Sequence, residues 1–187
     1  MTLEQMKKKV LKLIEEYDES QETHFTEDED IQNKLNDVIN QIQYELARIK
    51  KIPRYLEVEV TENQLLTFKD LKKVTENEVY QVDIIKGTEY EFKASGTIVK
   101  FLKKGTAEIE LFVYPKRIDE NTDNDYEFEL SDDVLEIMPY GVAGDLLKSD
   151  ISNGYGNIYT QKYENLKQLI DTRYSSGSIE FVGGIDI

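Results

Sequence analysis

The sequence predicts an α+β protein: a helical bundle of about four helices, two N-terminal and two C-terminal, with an inserted antiparallel β meander or small sandwich. Three observations predict it. Apolar residues recur at three- and four-residue spacing up to Ile49 and again after Ser131. Between them the texture changes to period-two alternation broken by glycines at turn positions. The chain has 187 residues, enough to bury a real hydrophobic core, and no internal repeat.

Each element has its own justification. Thr2-Leu3-Glu4-Gln5 reads as a capping box, and Leu3, Met6, Val10, Leu13, Ile14 and Tyr17 follow on one helical face. A second box, Thr26-Glu27-Asp28-Glu29, precedes Ile31, Leu35, Val38, Ile42, Leu46 and Ile49. That helix ends near Lys51, because Pro53 disfavours helical geometry in the residue before it. Both stripes are narrow, which predicts an antiparallel helix pair over residues 1–54.

Residues 55–130 form the predicted β unit. Leu56 to Val60 alternates with glutamates, and β-rich runs follow at Val79 to Ile85, Tyr90 to Lys93, Thr97 to Phe101 and Ala107 to Tyr114. Gly87, Gly96 and Gly105 mark the turns, and Tyr126, Phe128 and Leu130 alternate as a last short strand. Phe68 to Val74 fits either one helical turn or a loop. Residues 131–174 return to helix: Ser131 caps Val134 to Leu147, Pro139 kinks it or opens its second part, and Asn153 to Gly156 separates it from a helix ending near Tyr174. Residues 175–187 read as a flexible tail, with Ser175 to Ser178 as a hinge and an apolar end.

The composition excludes several function classes. With 23 Lys+Arg against 38 Asp+Glu the net charge is −15, which opposes a duplex-gripping or anionic-membrane surface. The charge is concentrated. Asp18 to Asp30 holds seven carboxylates and Asp119 to Asp133 eight, with no Lys or Arg in either, so the remainder of the chain is balanced. Each segment runs into a predicted helix start, where the dipole favours negative charge. Zero Cys excludes disulfides, thiolate metal sites and cysteine catalysis. Met1 to Glu16 is charged and amphipathic, unlike a signal peptide, and no stretch is long and apolar enough to span a membrane, so cytosolic synthesis is expected.

The chemistry sought does not emerge. Asp119, Asn121, Asp123 and Asp125 fill alternate positions of a calcium loop, but Asn124 stands where glycine is needed and Leu130 where a bidentate glutamate is needed. The segment reads as a solvated connection. The one histidine, His24, lies in a polar connector and reads as a surface residue. Gly154-Tyr155-Gly156 lacks a third glycine and a preceding strand, so it is no dinucleotide loop. No catalytic, cofactor or metal residue is assigned, and twelve tyrosines point towards contact surfaces.

One run points further. Val113-Tyr114-Pro115-Lys116-Arg117-Ile118, an acidic loop, Phe128-Glu129-Leu130-Ser131-Asp132-Asp133-Val134, then Ile137-Met138-Pro139-Tyr140-Gly141-Val142-Ala143-Gly144-Asp145-Leu146-Leu147, and finally Tyr163, Leu166 and Leu169, resembles the head-tail connector (adaptor) proteins of tailed bacteriophages and prophages. The likeness extends in order to the N-terminal helices and the β insert, whose length and charge depart from the usual pattern. It implies a structural, non-enzymatic virion protein, made in the host cytoplasm, that forms a homo-oligomeric ring, dodecameric by that resemblance, beneath the portal protein. Such a ring extends the channel through which double-stranded DNA passes and docks the next tail or stopper component.

The resemblance makes Val134, Ile137, Val142, Ala143, Leu146 and Leu147 core or subunit-facing. It offers Glu27, Asp28, Glu29, Asp30, Asp119, Asp123 and Asp125 as a channel or partner-facing acidic patch, where phosphate repulsion lets DNA slide. Ile179, Phe181, Val182, Ile185 and Ile187 would dock the tail on the portal by strand addition. The competing expectation is a non-catalytic binding module whose β unit recognises a carbohydrate or peptide through Tyr80, Tyr90, Phe92, Phe101 and Phe112.

Overall fold

Thr2 opens the first helix through the reciprocal bonds its spacing predicts: its hydroxyl accepts the N–H of Gln5 at 3.3 Å, and the Gln5 side chain accepts the N–H of Thr2 at 3.1 Å. The computed structural model describes residues 1–21, 25–93, 96–149 and 154–173. In it α1 runs Leu3–Leu13 and buries Leu3, Met6, Val10 and Leu11. α2, Glu29–Ile49, buries Leu35, Ile39, Ile42 and Leu46. Its cap is Asp28, two residues beyond the predicted Thr26. Asp28 Oδ1 accepts the N–H of Asp30 at 2.8 Å and of Ile31 at 3.1 Å, which sets a carboxylate on the positive end of the helix. Thr26 is fully buried, and its hydroxyl takes the N–H of Asp28 at 3.2 Å.

The chain then forms β1 (Ile52–Val60), β2 (Leu65–Thr67), α3 (Phe68–Thr75), β3 (Val79–Lys86), β4 (Tyr90–Lys93), β5 (Ile98–Phe101) and β6 (Gly105–Val113). These strands make two three-stranded antiparallel sheets, with orders β1-β6-β3 and β2-β5-β4. β1 is an edge strand, which is why Pro53, with no N–H to give, is tolerated opposite Phe112. Along β1 and β6 alternate residues turn inward, burying Val60, Ala107, Ile109, Leu111 and Val113, while two register shifts in β3 space its buried residues, Val79, Val82 and Ile85, three apart.

The expected four-helix bundle with one inserted meander is overturned. Among the described residues there are five helices, and they are interspersed with strands: α3 falls between β2 and β3. The β residues split into two sheets because β6 pairs with β1 and β3 instead of with its chain neighbour β5. That pairing is non-local, and no local pattern reveals it. The ambiguous segment is helical because Thr67 and Asp70 form a capping box, with Asp70 N–H donating to Thr67 Oγ1 at 3.3 Å. The expected last strand at Tyr126 to Leu130 is reduced to a single bridge between Thr2 and Glu127.

The N-terminal helices do not form the expected mutual pair. α1 and α2 make their main helix contacts with α4 (Asp132–Leu146), and α4 in turn lies along α5 (Tyr155–Arg173). α4 is apolar nearly all round, burying Val134, Leu135, Ile137, Met138, Pro139, Val142 and Ala143, as a helix surrounded by others must. Pro139 sits inside one continuous helix. Ser131 is its N-cap, but the hydroxyl makes no cap bond. A three-residue 3-10 turn, Leu147–Ser149, follows α4. Gly141 and Gly144 let α5 approach: a Cβ on Gly141 would meet the Tyr163 ring at 2.9 Å, and one on Gly144 would meet Thr160 Oγ1 at 2.7 Å.

Candidate interaction surfaces

The six residues assigned to the central helix fall into two groups. Val134, Ile137, Val142 and Ala143 are buried within this single chain, whereas Leu146 and Leu147 are partly buried against the core. The first four therefore have little surface left to offer a neighbour. The tail residues Ile179, Phe181, Val182, Ile185 and Ile187 lie outside the described residues, as does His24.

The loop that holds the second acidic segment lies against α2, the helix that the first segment opens. Glu27, Asp28, Glu29 and Asp30 are exposed at the start of α2, and Asp119, Asp123 and Asp125 are exposed on the loop after β6. That loop is fastened to α2 by Asn40, whose Nδ2 donates to the Ile118 carbonyl at 2.7 Å and whose Oδ1 accepts the Ile118 N–H at 2.8 Å. Gln43 Nε2 adds a bond to Asn40 Oδ1 at 2.8 Å. Between loop and helix lies an open cleft of ≈ 580 Å³ lined by Lys7, Asn33, Asn36, Asp37, Arg117 and Asp119, among others. Burial lowers the Lys7 pKa there, while its Nζ donates to Asn124 Oδ1 at 3.4 Å.

Much of this loop is committed to structure. The Tyr126 and Asn124 carbonyls accept the N–H groups of Leu3 and Glu4, each at 2.9 Å, and so satisfy donors at the start of α1. Asp119 Oδ1 accepts from Asn121 N–H at 2.9 Å and Thr122 Oγ1 at 3.1 Å, a local turn. The alternating acids of the calcium-like pattern do not converge: among the described residues no three His, Cys, Asp or Glu side chains are grouped to hold a metal.

The five aromatics proposed for a binding sheet are dispersed. Phe101 and Phe112 are buried. Tyr80 belongs to a stack that joins β3 to α2, with ring centroids 4.7 Å from Tyr114 and its hydroxyl donating to the Ala47 carbonyl at 2.9 Å. Desolvation pushes the Tyr80 pKa up to about 12. Tyr44 packs on Tyr114 at 4.9 Å, and Arg48 Nε donates to the Tyr114 hydroxyl at 2.6 Å. Tyr90 and Phe92 form a separate edge-on pair on the other sheet, 5.5 Å apart.

The register exposes a third acidic surface that charge counting along the chain misses. The outward face of β1-β6-β3 carries Glu57 opposite Glu108, Glu59 opposite Thr106 and Tyr55 opposite Glu110; on β3, Ile84 continues the row of Glu110 and Lys86 the row of Glu108. Glu59 accepts from Thr106 Oγ1 at 2.6 Å and Glu110 from the Tyr55 hydroxyl at 3.1 Å. None of the four carboxylates is in an ion pair among the described residues. Tyr55 is 71% and Ile84 40% exposed, and they border an open groove of ≈ 380 Å³. The alternating glutamates are plain in the sequence, but their position opposite one another depends on strands some fifty residues apart.

A scan of protein-family models finds none that matches the chain, and a search of the curated proteins finds no significant match.

Proposed function

We propose that the protein is a structural head-tail connector: a subunit of a ring that seats on the portal of a tailed bacteriophage, extends the DNA channel and receives the next tail or stopper component. The observation that carries this reading is the ordered likeness running from Val113 to Leu169. Its helical motifs fall on α4 and α5, which lie along each other with Gly141 and Gly144 at the seam. Exposed acids at Glu27 to Asp30 and at Asp119, Asp123 and Asp125 suit a surface that must pass DNA without holding it. The carbohydrate- or peptide-binding alternative loses its aromatic platform, since Phe101 and Phe112 are buried.

The direct test is to mix the protein with a portal ring from the same genome and image the particles by negative-stain microscopy. Added density on the ring is expected, and bare portals would remove the reading. Exchanging Asp119, Asp123 and Asp125 for Asn tests the channel role separately. Infectivity should fall with assembly intact, and unchanged infectivity would count against DNA-facing acids.

A further inference from the structure

The outer face of β1-β6-β3 holds more like charge than the fold explains. Glu57 and Glu108 are direct cross-strand partners, an arrangement that costs stability because two carboxylates project side by side. Unlike Asp28, they cap no helix. Lys86 neighbours Glu108 across the other strand pair, yet no ion pair joins them. Beside this acidic strip stand two exposed apolar side chains, Tyr55 and Ile84, so the face has the make-up of a contact surface: an apolar spot with charge around it.

The chain carries the complement elsewhere. On α3, Lys69, Lys72 and Lys73 follow at i, i+3 and i+4, which lines them on one stripe pointing away from the buried Leu71. Lys73 is bonded to Asp70 at 3.1 Å, but Lys69 and Lys72 are exposed and in no ion pair among the described residues. Val74, 64% exposed, stands beside the stripe. Within one molecule no lysine of α3 reaches a glutamate of the sheet face.

We infer that the glutamate face of β1-β6-β3 and the lysine stripe of α3 are the two halves of a contact between successive copies of this chain. The inference rests on the ring reading and supplies its subunit interface. Two different patches on one molecule make a heterologous contact, which propagates head to tail and closes as a ring when the rotation allows. Docking α3 onto the sheet relieves the Glu57–Glu108 repulsion and covers Tyr55. DNA is a poor occupant of the same face, because its phosphates would meet four uncompensated carboxylates.

A charge swap tests this with folded, full-length protein. Sedimentation velocity of the wild type should show self-association at about 20 mM salt that is lost at about 500 mM, where screening is within a few ångströms. The Glu57→Lys/Glu108→Lys and Lys69→Glu/Lys72→Glu variants should each self-associate at least about tenfold more weakly, since each sets like charge against like. An equimolar mixture of the two should associate again, because every contact is once more between opposite charges. A wild type that stays monomeric at low salt, variants that associate like the wild type, or a mixture that fails to recover would each overturn the inference. Portal binding is scored separately. Density on the portal without swap-rescued association removes this interface and leaves the connector reading; rescued association with bare portals does the reverse.

Discussion

Glu129 accepts the backbone N–H of Lys116 at 2.9 Å with the same carboxylate that takes the Asn77 side-chain amide at 3.1 Å and the Arg54 guanidinium. One side chain thereby ties β1, the α3–β3 connection and the exit of β6 to the approach of α4. Replacing it by Ala leaves the largely buried Asn77 amide with only the Tyr114 carbonyl at 3.1 Å, and takes their acceptor from the Arg54 guanidinium and the Lys116 N–H. The Glu129→Ala variant should lose roughly 2 kcal/mol. A lower urea midpoint with unchanged slope is the expected result.

At Gly141 the Tyr163 ring of α5 lies directly against the backbone of α4. A methyl group there would lie 2.9 Å from two carbons of the Tyr163 ring and 3.2 Å from Ile42 Cγ2. The ring is only 4% exposed and has no room to withdraw. Gly141→Ala should therefore destabilise by roughly 1–3 kcal/mol, despite the higher helix propensity of alanine. The thermal midpoint reports it.

Asn40 acts as a short piece of strand within a helix, exchanging both hydrogen bonds with the backbone of Ile118. The site is buried, so Asn40→Ala strands the Ile118 N–H and carbonyl and leaves the Gln43 amide with only the Lys116 carbonyl at 3.2 Å, at a cost of roughly 2–3 kcal/mol. Hydrogen exchange should show protection of the Ile118 amide lost well beyond the fall in global stability.

The α3 capping box titrates. The Thr67 hydroxyl bond, aided by Lys73 and the Thr67 N–H, lowers the Asp70 pKa from 3.8 to about 2. A depressed carboxylate stabilises the fold above its unfolded pKa, and that contribution disappears as pH falls from 3.8 towards 2. The acid-induced fall in melting temperature over this window should be shallower in Asp70→Asn than in the wild type. Identical pH profiles would show that the box contributes no pH dependence.

How much of this the sequence discloses depends on the range of the interaction. The Thr2 box, the Asp/Glu-rich start of α2 and strand β4, Tyr90–Lys93, are local patterns and stand where spacing puts them. β2 is three residues long and carries no periodicity to detect. The pairing of β6 with β1 and β3, and the docking of α1 and α2 on α4, are decided by complementarity between distant segments. The same holds for the surfaces. The acidic runs are visible as composition, whereas Glu57 facing Glu108 exists only once the register is known. Glu129 reads as one more alternating acid of a short strand until Arg54, Asn77 and Lys116 gather round it.

The bonds from Leu3 and Glu4 to Tyr126 and Asn124 set a timetable for the nascent chain. At roughly 5–20 residues per second, the ribosome delivers those acceptors some 6–25 seconds after the donors. α4, the common partner of α1 and α2, emerges later still. Throughout that interval two amphipathic helices lack α4, their main helical partner, so the folding of the first fifty residues is completed by the second half of the chain.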